Sequence, residues 1–477
     1  MPIEKHYWKT DGHTFYHLDI TPNKGPTWPK KARDRGTFKG FALACQQLCG
    51  QDYRRPHFSC LTKCMHPTTN VYGLSQVLKA DDTKEGQILL DGAKIEAKAI
   101  KSFQGELIKI QPWCLPSVLL TPDHLVRIRK GWRKYFRINN KDAYRWKLKE
   151  KVWMRADQLH KKQGRNQLYL EVPIVTTEKA YSFDFYDRRR FKADSKWRYE
   201  KADKDWAFLF GLYVAEGNTT RGEIIFSLGK HEEELAAKLR SLIRKKLERQ
   251  VKTKPCSNTP TATRTSFYSK SLSAFLSSNF GRIAPQKTIP RWMLEERKEI
   301  LQSFVDGYVA GDGCRIVPKQ KNSYPHYQVK SASEELIRRL QIALLKLGKV
   351  SSFAKIKVPD TEIEGRIIRS RGFYWRLVWM ETKRRNLVLK EGNSYYFPIR
   401  RLEKLHYSGP VVDLQTTSKV IPVPFLIHNC WIRRTWYGKM PPVIEVRTYG
   451  LLRNAHRPWW KKWLFKLSMS LTEWFAS

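Results

Sequence analysis

The stretch FVDGYVAGDG, residues 304–313, has a counterpart earlier in the chain in LFGLYVAEGN, residues 209–218. Both stretches have apolar residues three and four apart, as in a helix, and both contain a glycine, three further residues, a small residue and an acid. The two acids, Glu216 and Asp312, are 96 positions apart (312 − 216). This spacing indicates a structural unit that occurs twice, which sets the fold of the middle of the chain.

Small residues at matching positions predict that the two helices pack backbone against backbone. They lie four apart and are Gly211, Ala215, Gly307 and Gly311. Because nothing larger than a methyl group separates the helices, as in pairs of membrane helices, both terminal acids would meet at one point. Two converging carboxylates can hold divalent cations for in-line phosphodiester cleavage, in which paired metals lie about 3.5–4 Å apart.

A lysine before the second helix completes this candidate site. Lys287 lies in QKTIPRW, residues 286–292, where its charge would polarise an attacking water or stabilise a phosphorane-like transition state. These residues resemble the two motifs of a LAGLIDADG (dodecapeptide, DOD-type) homing endonuclease. KTIP at 287–290 matches the lysine block of that family, and LIRRLQIALLKLGK at 336–349 matches a later helix.

The resemblance covers about residues 199–358 and implies two αββαββα halves in one monomer with an internal pseudo-twofold axis. It also implies saddle-shaped sheets that straddle a long double-stranded DNA site, with Mg²⁺ bound by Glu216 and Asp312. The first motif departs from the family pattern in its Glu-Gly-Asn ending, residues 216–218. Since both acids are present, we expect an active, site-specific endonuclease. Either motif alone would also be typical of an ordinary buried helix with a Gly-rich end.

Strand-like segments surround this helical region on both sides. GELIKIQPW at 105–113 and SVLLTPDHLVRI at 117–128 precede it, and YYFPIRRL at 395–402 and GPVVDLQTT at 409–417 follow it. Their β-branched and aromatic residues, bounded by Gly, Pro and Asp, are typical of strands. The pattern predicts a β module that is split by an α/β insert.

The β module ends in PVPFLIHNC, residues 422–430, where a proton donor, a cyclisable amide and a nucleophile are consecutive: His428, Asn429 and Cys430. Alone, this triplet is typical of a loop. With Cys64 at the start of the module, the order resembles an intein: a leading Cys, a Thr-x-x-His block, a Val-Asp-Leu block and His-Asn before Cys. The resemblance implies an all-β, horseshoe-like Hint splicing domain from Cys64 to Asn429, a segment of 366 residues (429 − 64 + 1).

The intein resemblance implies a splicing role for the first two blocks. The Cys64 thiol would attack the carbonyl group of Lys63 and convert the peptide bond to a thioester. Thr121 and His124 would assist, the imidazole by protonating the departing nitrogen and both by stabilising the tetrahedral oxyanion. No cofactor is needed for this chemistry.

The last two blocks would complete the reaction. Cys430 would attack the thioester as a thiolate, with Asp413 as coordinator of this transfer. Asn429 would then cyclise with His428 as proton donor, and an S-to-N shift would leave Lys63 joined to Cys430. The segment QTTSKVIPVPF lacks the second histidine that inteins often carry after the Val-Asp-Leu block, so cyclisation is expected to be slower or to use another group.

The two resemblances together predict a multidomain chain. Its predicted parts are an N-terminal host segment (1–63), the first part of the Hint domain (64–184), the endonuclease (185–390, with repeats at about 199–298 and 299–385), the second part of the Hint domain (391–429) and a C-terminal host segment (430–477).

The charge of the chain predicts a nucleic-acid partner. The 477 residues contain 89 Lys and Arg against 45 Asp and Glu, a formal net charge of +44, which attracts a phosphate backbone. The expected partner is double-stranded DNA at a long homing site, namely the host gene without the intein. The N-terminus has no signal-peptide pattern and no apolar run reaches the 18 or so residues of a spanning helix, so we expect a cytoplasmic protein without membrane contact.

The flanks would form a host protein of 111 residues (63 + 48), whose function the sequence does not reveal. Their ligation would create a four-cysteine candidate site for structural zinc, made of Cys45, Cys49, Cys60 and Cys430. Its CX3C spacing is less typical of zinc than CX2C, so free cysteines or two redox pairs are alternatives. The sequence assigns no role to Cys114, Cys256 or Cys314.

Two alternatives to a splicing endonuclease remain open at this stage. One is a LAGLIDADG DNA endonuclease whose Hint domain does not splice. The other is a basic nucleic-acid-binding protein without catalysis, which would show no metal-dependent cutting even of the uninterrupted host gene.

Overall fold

The computed structural model describes residues 6–10, 13–17, 63–74, 76–138, 141–160, 166–187, 195–251, 253–256, 259–319, 324–359, 361–363, 366–368, 372–381 and 387–428. Five residues predicted for splicing or for zinc binding lie outside these ranges: Cys45, Cys49, Cys60, Asn429 and Cys430. Within the ranges, no helix is long and apolar enough to cross a membrane.

The described residues before the insert are mainly in strands. β1 (His6–Thr10) and β2 (His13–His17) pair as an antiparallel hairpin. The following strands are β3 (Asn70–Tyr72), β4 (Val77–Lys79), β5 (Ile95–Pro112), β6 (Val118–Leu120), β7 (Leu125–Ile138), β8 (Lys141–Arg155) and β9 (Asn166–Pro173).

The insert alternates helices with short strands, as its periodicity predicts. A hairpin of β10 (Ser182–Asp187) and β11 (Lys196–Lys201) leads into it. The first half contains α1 (Lys204–Glu216), β12 (Gly217–Thr220), β13 (Glu223–Gly229), α2 (Glu233–Leu247), β14 (Thr253–Cys256), β15 (Thr259–Tyr268) and α3 (Lys270–Phe280). The second half contains α4 (Arg291–Glu295), α5 (Lys298–Asp312), β16 (Gly313–Ile316), β17 (His326–Ser331), α6 (Glu334–Lys346), β18 (Ser351–Lys357), β19 (Thr361–Ile363), β20 (Arg366–Ile368) and β21 (Phe373–Met380).

The two halves of the insert have the same sheet topology. Each half forms an antiparallel four-stranded sheet, in the order β12-β13-β15-β14 in the first half and β16-β17-β21-β18 in the second. If the strands of each half are counted along the chain, both orders read first, second, fourth, third. Each of the two acid-ended helices is therefore followed by a sheet of the same strand order.

The second half departs from the expected αββαββα pattern both before and after its fourth strand. An additional hairpin, β19–β20, lies between its third and fourth strands. No helix equivalent to α3 occurs among the described residues between Met380 and Leu389.

The strands after the insert return to the sheet that the earlier strands began. They are β22 (Leu389–Glu391), β23 (Ser394–Thr416), β24 (Val420–Pro422) and β25 (Leu426–His428). The sheet has the order β24-β25-β7-β9-β23-β5-β6, with β8 paired to β7 and β22 paired to β23. β5 and β23 pair along Ile95–Pro112 and Ile399–Thr416, so segments from before and after the insert form one continuous ladder.

One hydrophobic cluster lies mainly in the β module and a second lies mainly in the insert. Val172 and Val388 belong to the β cluster, whereas Val175 and Trp379 belong to the helical cluster. Phe183, which the predicted boundary at 184 assigns to the β module, lies in the helical cluster, where its ring contacts that of Trp206 at 5.2 Å between centroids. The packing boundary therefore lies near residue 174, because the β10–β11 hairpin covers the helices.

Helix α6 also joins the insert to the β module through polar contacts. The Arg339 guanidinium is fully buried and donates to the carbonyl oxygen of Leu74 at 3.2 Å. The Glu335 carboxylate accepts from the backbone N–H of Val77 at 3.0 Å. Because buried polar groups are costly without partners, these bonds fix the position of the insert on the β module.

Candidate active sites

Helices α1 and α5 contact each other backbone to backbone. A Cβ atom added at Gly211 would lie 2.0 Å from the carbonyl oxygen of Phe304, and one at Gly307 would lie 2.1 Å from that of Phe208. Real Cβ atoms do not come so near to backbone oxygen, so only glycine permits this contact. The prediction that small residues let the helix backbones touch is confirmed.

The close contact brings the two motif acids to neighbouring helix ends. Glu216 is the last residue of α1 and Asp312 the last of α5. A Cβ atom at Gly311, next to Asp312, would lie 2.8 Å from Cγ of Glu216. Burial, followed by the charge of Asp312, raises the pKa of Glu216 to about 7. Burial raises the pKa of Asp312 to about 6.

Lys287 lies buried beside the same helix end. Its Nζ donates to the carbonyl oxygen of Tyr213 at 2.8 Å and lies 3.6 Å from the centroid of the Tyr213 ring. Burial lowers the pKa of Lys287 to about 7, and the charge of Asp312 opposes this shift. A lysine with a pKa near neutrality can exchange a proton with water or a substrate at physiological pH.

The donor chemistry at this point suits a hard divalent cation such as Mg²⁺. Glu216 and Asp312 offer carboxylate oxygens, and a bound cation would favour their charged forms against the burial that raises both pKa values. No group of three or more His, Cys, Asp or Glu side chains in the described ranges could hold a metal ion. The remaining ligands would therefore come from backbone carbonyls, water or phosphate, in keeping with the reluctance of Mg²⁺ to lose its waters.

The raised pKa of Glu216 predicts that, in the absence of metal, the folded chain becomes less stable as the pH rises. The folded chain holds a proton between the ordinary pKa of 4.5 and about 7, whereas the unfolded chain has released it. This contribution is complete below pH 4.5 and is lost as the pH rises through about 7. Discounted for partial exposure, it amounts to about 1–2 kcal/mol.

Urea unfolding in chelator at pH 5 and pH 8 would measure this loss. We expect Glu216→Gln to show a smaller fall in unfolding free energy than the unmodified chain. The matched control is Asp306→Asn, an exposed acid of α5. An equal fall in all three proteins would mean that Glu216 is not the titrating group.

A second site forms around Cys64 in the β module. Its backbone N–H donates to Oγ1 of Thr121 at 3.0 Å, and the Thr121 hydroxyl lies 3.2 Å from the Cys64 carbonyl oxygen. Met65 holds the segment in register through two 2.8 Å backbone bonds with Val412. Thr121 and Cys64 are both almost completely buried. The leading Cys and the Thr-x-x-His block therefore meet, although they are far apart in the sequence.

His124 bridges the two ends of the β module. Its Nδ1 lies 3.2 Å from the carbonyl oxygen of Cys64, and its Nε2 lies 2.9 Å from that of His428. Burial lowers the pKa of His124 to about 3, so the ring is neutral at physiological pH. A neutral imidazole donates through one nitrogen only, so only one of the two carbonyls can accept from it at a time.

Asp413 lies on β23 next to the strand contact of Met65 and is almost fully buried. Burial, followed by the charge of Asp413, raises the pKa of the Cys64 thiol to about 12. Lys101 lowers it in part and lies 3.5 Å from the Asp413 carboxylate. Lys101 could not be singled out from the sequence, because in a chain so rich in lysine it becomes distinctive only when β5 pairs with β23.

His428 ends the described part of the β module. It is the last residue of β25, where it pairs with Val420, and its ring contacts the Trp153 ring edge-to-face at 5.1 Å. The structure therefore brings five of the predicted splicing residues to one region: Cys64, Thr121, His124, Asp413 and His428. The other two, Asn429 and Cys430, follow directly in the sequence.

The second repeat of the insert matches a known family. Residues 299–377 match a LAGLIDADG-like domain. The LAGLIDADG-like domain thus begins in α5, contains Asp312 and ends in β21. In this segment helices α5 and α6 alternate with the strands from β16 to β21, an α/β arrangement.

Relatives of this chain are longer proteins with different names. Hel308, an ATP-dependent DNA helicase of Thermococcus kodakarensis, is 25% identical over 411 residues, or 77% of this chain and 36% of the helicase. An uncharacterized protein of Methanocaldococcus jannaschii is 26% identical over 263 residues, or 48% of this chain and 29% of that protein. A replication factor C small subunit of the same organism is 29% identical over 195 residues, or 36% and 9%. The chain therefore spans about a third or less of these relatives.

Two solved structures share a likeness with part of the chain. The N-terminal LAGLIDADG domain of DUF199/WhiA has a TM-score of 0.24 and 17% identity, covering 38% of this chain and 76% of that domain. I-DmoI in complex with DNA and Mn has a TM-score of 0.24 and 14% identity, covering 37% of this chain and 90% of I-DmoI.

Proposed function

We propose that this chain is a self-splicing precursor whose excised part is a site-specific DNA endonuclease. The segment from Cys64 to Asn429 would remove itself and join Lys63 to Cys430. The observation that carries the proposal is the position of His124, whose two ring nitrogens lie 3.2 Å and 2.9 Å from carbonyl oxygens at opposite ends of this segment. A single imidazole can then serve both cleavage sites.

The first step is an N-to-S acyl shift at Cys64. A bond forms between its Sγ and the carbonyl carbon of Lys63, the Lys63–Cys64 peptide bond breaks, and the thiol proton ends on the Cys64 nitrogen. Thr121 positions that nitrogen through the 3.0 Å contact, and His124 relays the proton. Because burial holds the thiol pKa near 12, the sulfur needs a base at the moment of attack, and Asp413 is the nearby carboxylate.

The later steps transfer and release the chain. Sγ of Cys430 bonds to the Lys63 carbonyl carbon and the Cys64 thiol leaves. The side-chain nitrogen of Asn429 then attacks its own carbonyl carbon, which breaks the Asn429–Cys430 bond, and His428 protonates the departing nitrogen. Finally the Cys430 nitrogen displaces its own sulfur from Lys63, leaving an ordinary peptide bond.

The endonuclease reaction would use the site at the ends of α1 and α5. Glu216 and Asp312 would hold Mg²⁺, which when bound neutralises phosphate charge and lowers the pKa of the attacking water. Lys287, with its pKa near 7, would exchange a proton with the attacking or leaving oxygen. The LAGLIDADG-like domain supplies the DNA-binding fold for this chemistry.

The nature of the relatives supports an inserted element. A helicase and a replication factor subunit carry unlike names, yet each resembles this chain over only part of its own length. A segment that excises itself would leave its host's function unchanged and could therefore occur in unlike hosts. We place the excised protein in the cytoplasm as a monomer with an internal pseudo-twofold axis.

Intact-mass analysis of the expressed chain tests splicing. We expect a 366-residue fragment (429 − 64 + 1) and a ligated 111-residue host (63 + 48), while a chain with both Cys64→Ala and Asn429→Ala stays whole. If the unmodified chain also stays whole, it does not splice, and the endonuclease remains as the function to test. Zinc analysis of the ligated host, with and without chelator, tests the four-cysteine site separately.

Cleavage of a defined duplex tests the nuclease. The substrate encodes the two flanks joined at Lys63 and Cys430, and the control duplex retains the intervening codons. We expect Mg²⁺-dependent cutting of the first duplex only. Binding without cutting under any metal condition would favour a basic nucleic-acid-binding protein without catalysis.

A further inference from the structure

A long two-stranded ribbon projects from the β module, formed by β7 and β8. β7 pairs with β8 along its whole length, but β9 covers β7 only from Ile128 to Trp132. Within the described residues β8 has no other partner strand. Residues 133–138 of β7 and 141–146 of β8 therefore extend beyond the sheet as a two-stranded ribbon of about 20 Å, at about 3.3 Å per residue.

This hairpin holds a large share of the charge of the chain. Residues 125–155 contain twelve Lys and Arg but only two acids, Asp142 and Glu150, a net charge of +10 (12 − 2) out of the +44 of the whole chain. The same 31 residues (155 − 125 + 1) contain six aromatic side chains. A charge so concentrated is far more than solubility needs.

Cations at the base of the hairpin are neutralised by neighbouring strands. Arg127 and Lys151 lie 3.0 Å and 2.7 Å from the carboxylate oxygens of Glu171. Arg129 lies 2.8 Å from the carboxylate of Glu391. These residues serve the fold of the β module.

Further along the hairpin four lysines face solvent. The exposed lysines there are Lys130, Lys134, Lys147 and Lys149. In the described part of the chain, none of the four has an acid within ion-pairing distance. Trp132 and Tyr135 lie among them with 37% and 49% of their surface exposed.

The register places like charges opposite one another. Lys134 pairs with Arg145 across the ribbon, and Trp132 pairs with Lys147. The pairing thus brings basic residues of both strands to the same level of the ribbon, where one phosphate backbone could contact both strands. Arg133 lies over the Trp146 ring at 5.2 Å, a cation–π contact between the two strands of the ribbon.

We propose that this ribbon is a second DNA-binding element, which binds the phosphate backbone of double-stranded DNA beside the segment held by the endonuclease. The proposal rests on the proposed function, which brings duplex DNA to this molecule. A two-stranded ribbon fits a major groove of about 12 Å, and lysines contact its phosphates without reading sequence. The ribbon thus lengthens the DNA site and adds affinity without specificity.

Salt-dependent binding to duplex DNA tests the ribbon. The probe is the duplex that spans the joined-flank junction, titrated by anisotropy in chelator between about 50 and 200 mM salt so that it is not cut. The ribbon variant carries glutamine at four positions: Lys130, Lys134, Lys147 and Lys149. The control carries glutamine at four exposed lysines elsewhere: Lys84, Lys94, Lys179 and Lys419.

We expect the ribbon variant to lose at least about tenfold in affinity and to lower the slope of log K against log salt by about 3–4, because each phosphate contact contributes about 0.9. The control variant should change both the affinity and the salt slope by less than the ribbon variant does. The hydroxyl-radical footprint of the ribbon variant should be shorter than that of the unmodified chain, and on one side only. The expected difference is about six base pairs, for a ribbon of about 20 Å at about 3.4 Å per base pair.

Unchanged duplex affinity in the ribbon variant would overturn the proposal. Selective loss of binding to single-stranded RNA, or to vesicles containing anionic lipid, with duplex binding intact would also overturn it, because the ribbon would then serve a different partner. The nuclease is scored separately in Mg²⁺ with the unmodified chain. Absence of cutting there would count against the proposed endonuclease while the ribbon result stands on binding alone.

Discussion

Replacing His124 with alanine is expected to slow thioester formation at Cys64 by about 10²- to 10⁴-fold, the range that a positioned proton donor contributes. The imidazole is buried, and its Nδ1 lies 3.2 Å from the carbonyl oxygen of the nucleophilic residue. With the pKa of the thiol raised to about 12, the attack depends on proton transfer that water cannot provide in a closed site. Since Nε2 contacts the carbonyl of His428, we expect release at the other end to slow as well.

The measurement is release of residues 1–63 by an added thiol, followed by mass spectrometry in an Asn429→Ala background. His66→Ala is the matched control, because that ring lies two residues from Cys64 but contacts Thr68 at 2.8 Å and the Tyr407 ring at 4.9 Å. Equal release of residues 1–63 by the His124→Ala and His66→Ala variants would mean that His124 takes no part in the reaction.

A rate that falls because the fold is disturbed must be separated from a rate that falls because proton transfer is lost. His124→Gln retains a hydrogen-bond donor in the site but cannot relay a proton. We expect it to keep the thermal unfolding midpoint closer to that of the unmodified chain than alanine does, while thioester formation stays slow. Full recovery of the rate in His124→Gln would mean that the side chain only positions the Cys64 carbonyl group.

Local sequence patterns were sufficient for the insert and less so for the β module. The small residues of the two motifs determine how α1 and α5 pack. The meeting of Glu216 and Asp312 could therefore be predicted from the spacing of these small residues along the sequence. In contrast, Ser408-Gly409-Pro410 in β23 has the composition of a turn, which predicts two strands in place of one. The ladder with β5 overrides that local signal, because pairing along the whole strand satisfies the backbone.

Other features depend on the folded environment and had weak signals. β8 has so many lysines that it looks like a solvated segment, although Trp146 and Leu148 alternate with charges as in a strand. The low pKa of Lys287 results from burial against Tyr213, 74 residues away in the sequence, which no motif records. The boundary near residue 174 follows from packing of the β10–β11 hairpin and not from a change in composition.

Asp312→Asn is expected to lower the rate of DNA cleavage by at least about 10³-fold. The reason is that a metal ion which holds the substrate needs negative charge at the helix ends. A metal ion contributes several kcal/mol of transition-state stabilisation, and at about 1.4 kcal/mol per tenfold change in rate its loss corresponds to about 10³-fold. The amide keeps the size of the side chain but neither repels Glu216 nor attracts a cation. The variant should therefore be at least as stable as the unmodified chain in chelator, because a buried charge has been removed.

Stability and activity together decide what Asp312 does. We expect excess Mg²⁺ to raise the unfolding midpoint of the unmodified chain but not that of Asp312→Asn, since only the former has both carboxylates to bind it. Asp306→Asn, an exposed acid on the same helix, changes the charge by the same amount and should retain both cleavage and the Mg²⁺ effect. If Asp312→Asn cuts the joined-flank duplex as fast as Asp306→Asn, the helix ends are not the nuclease site. If it stops cutting yet keeps the full Mg²⁺ effect, the metal lies elsewhere and Asp312 acts without it.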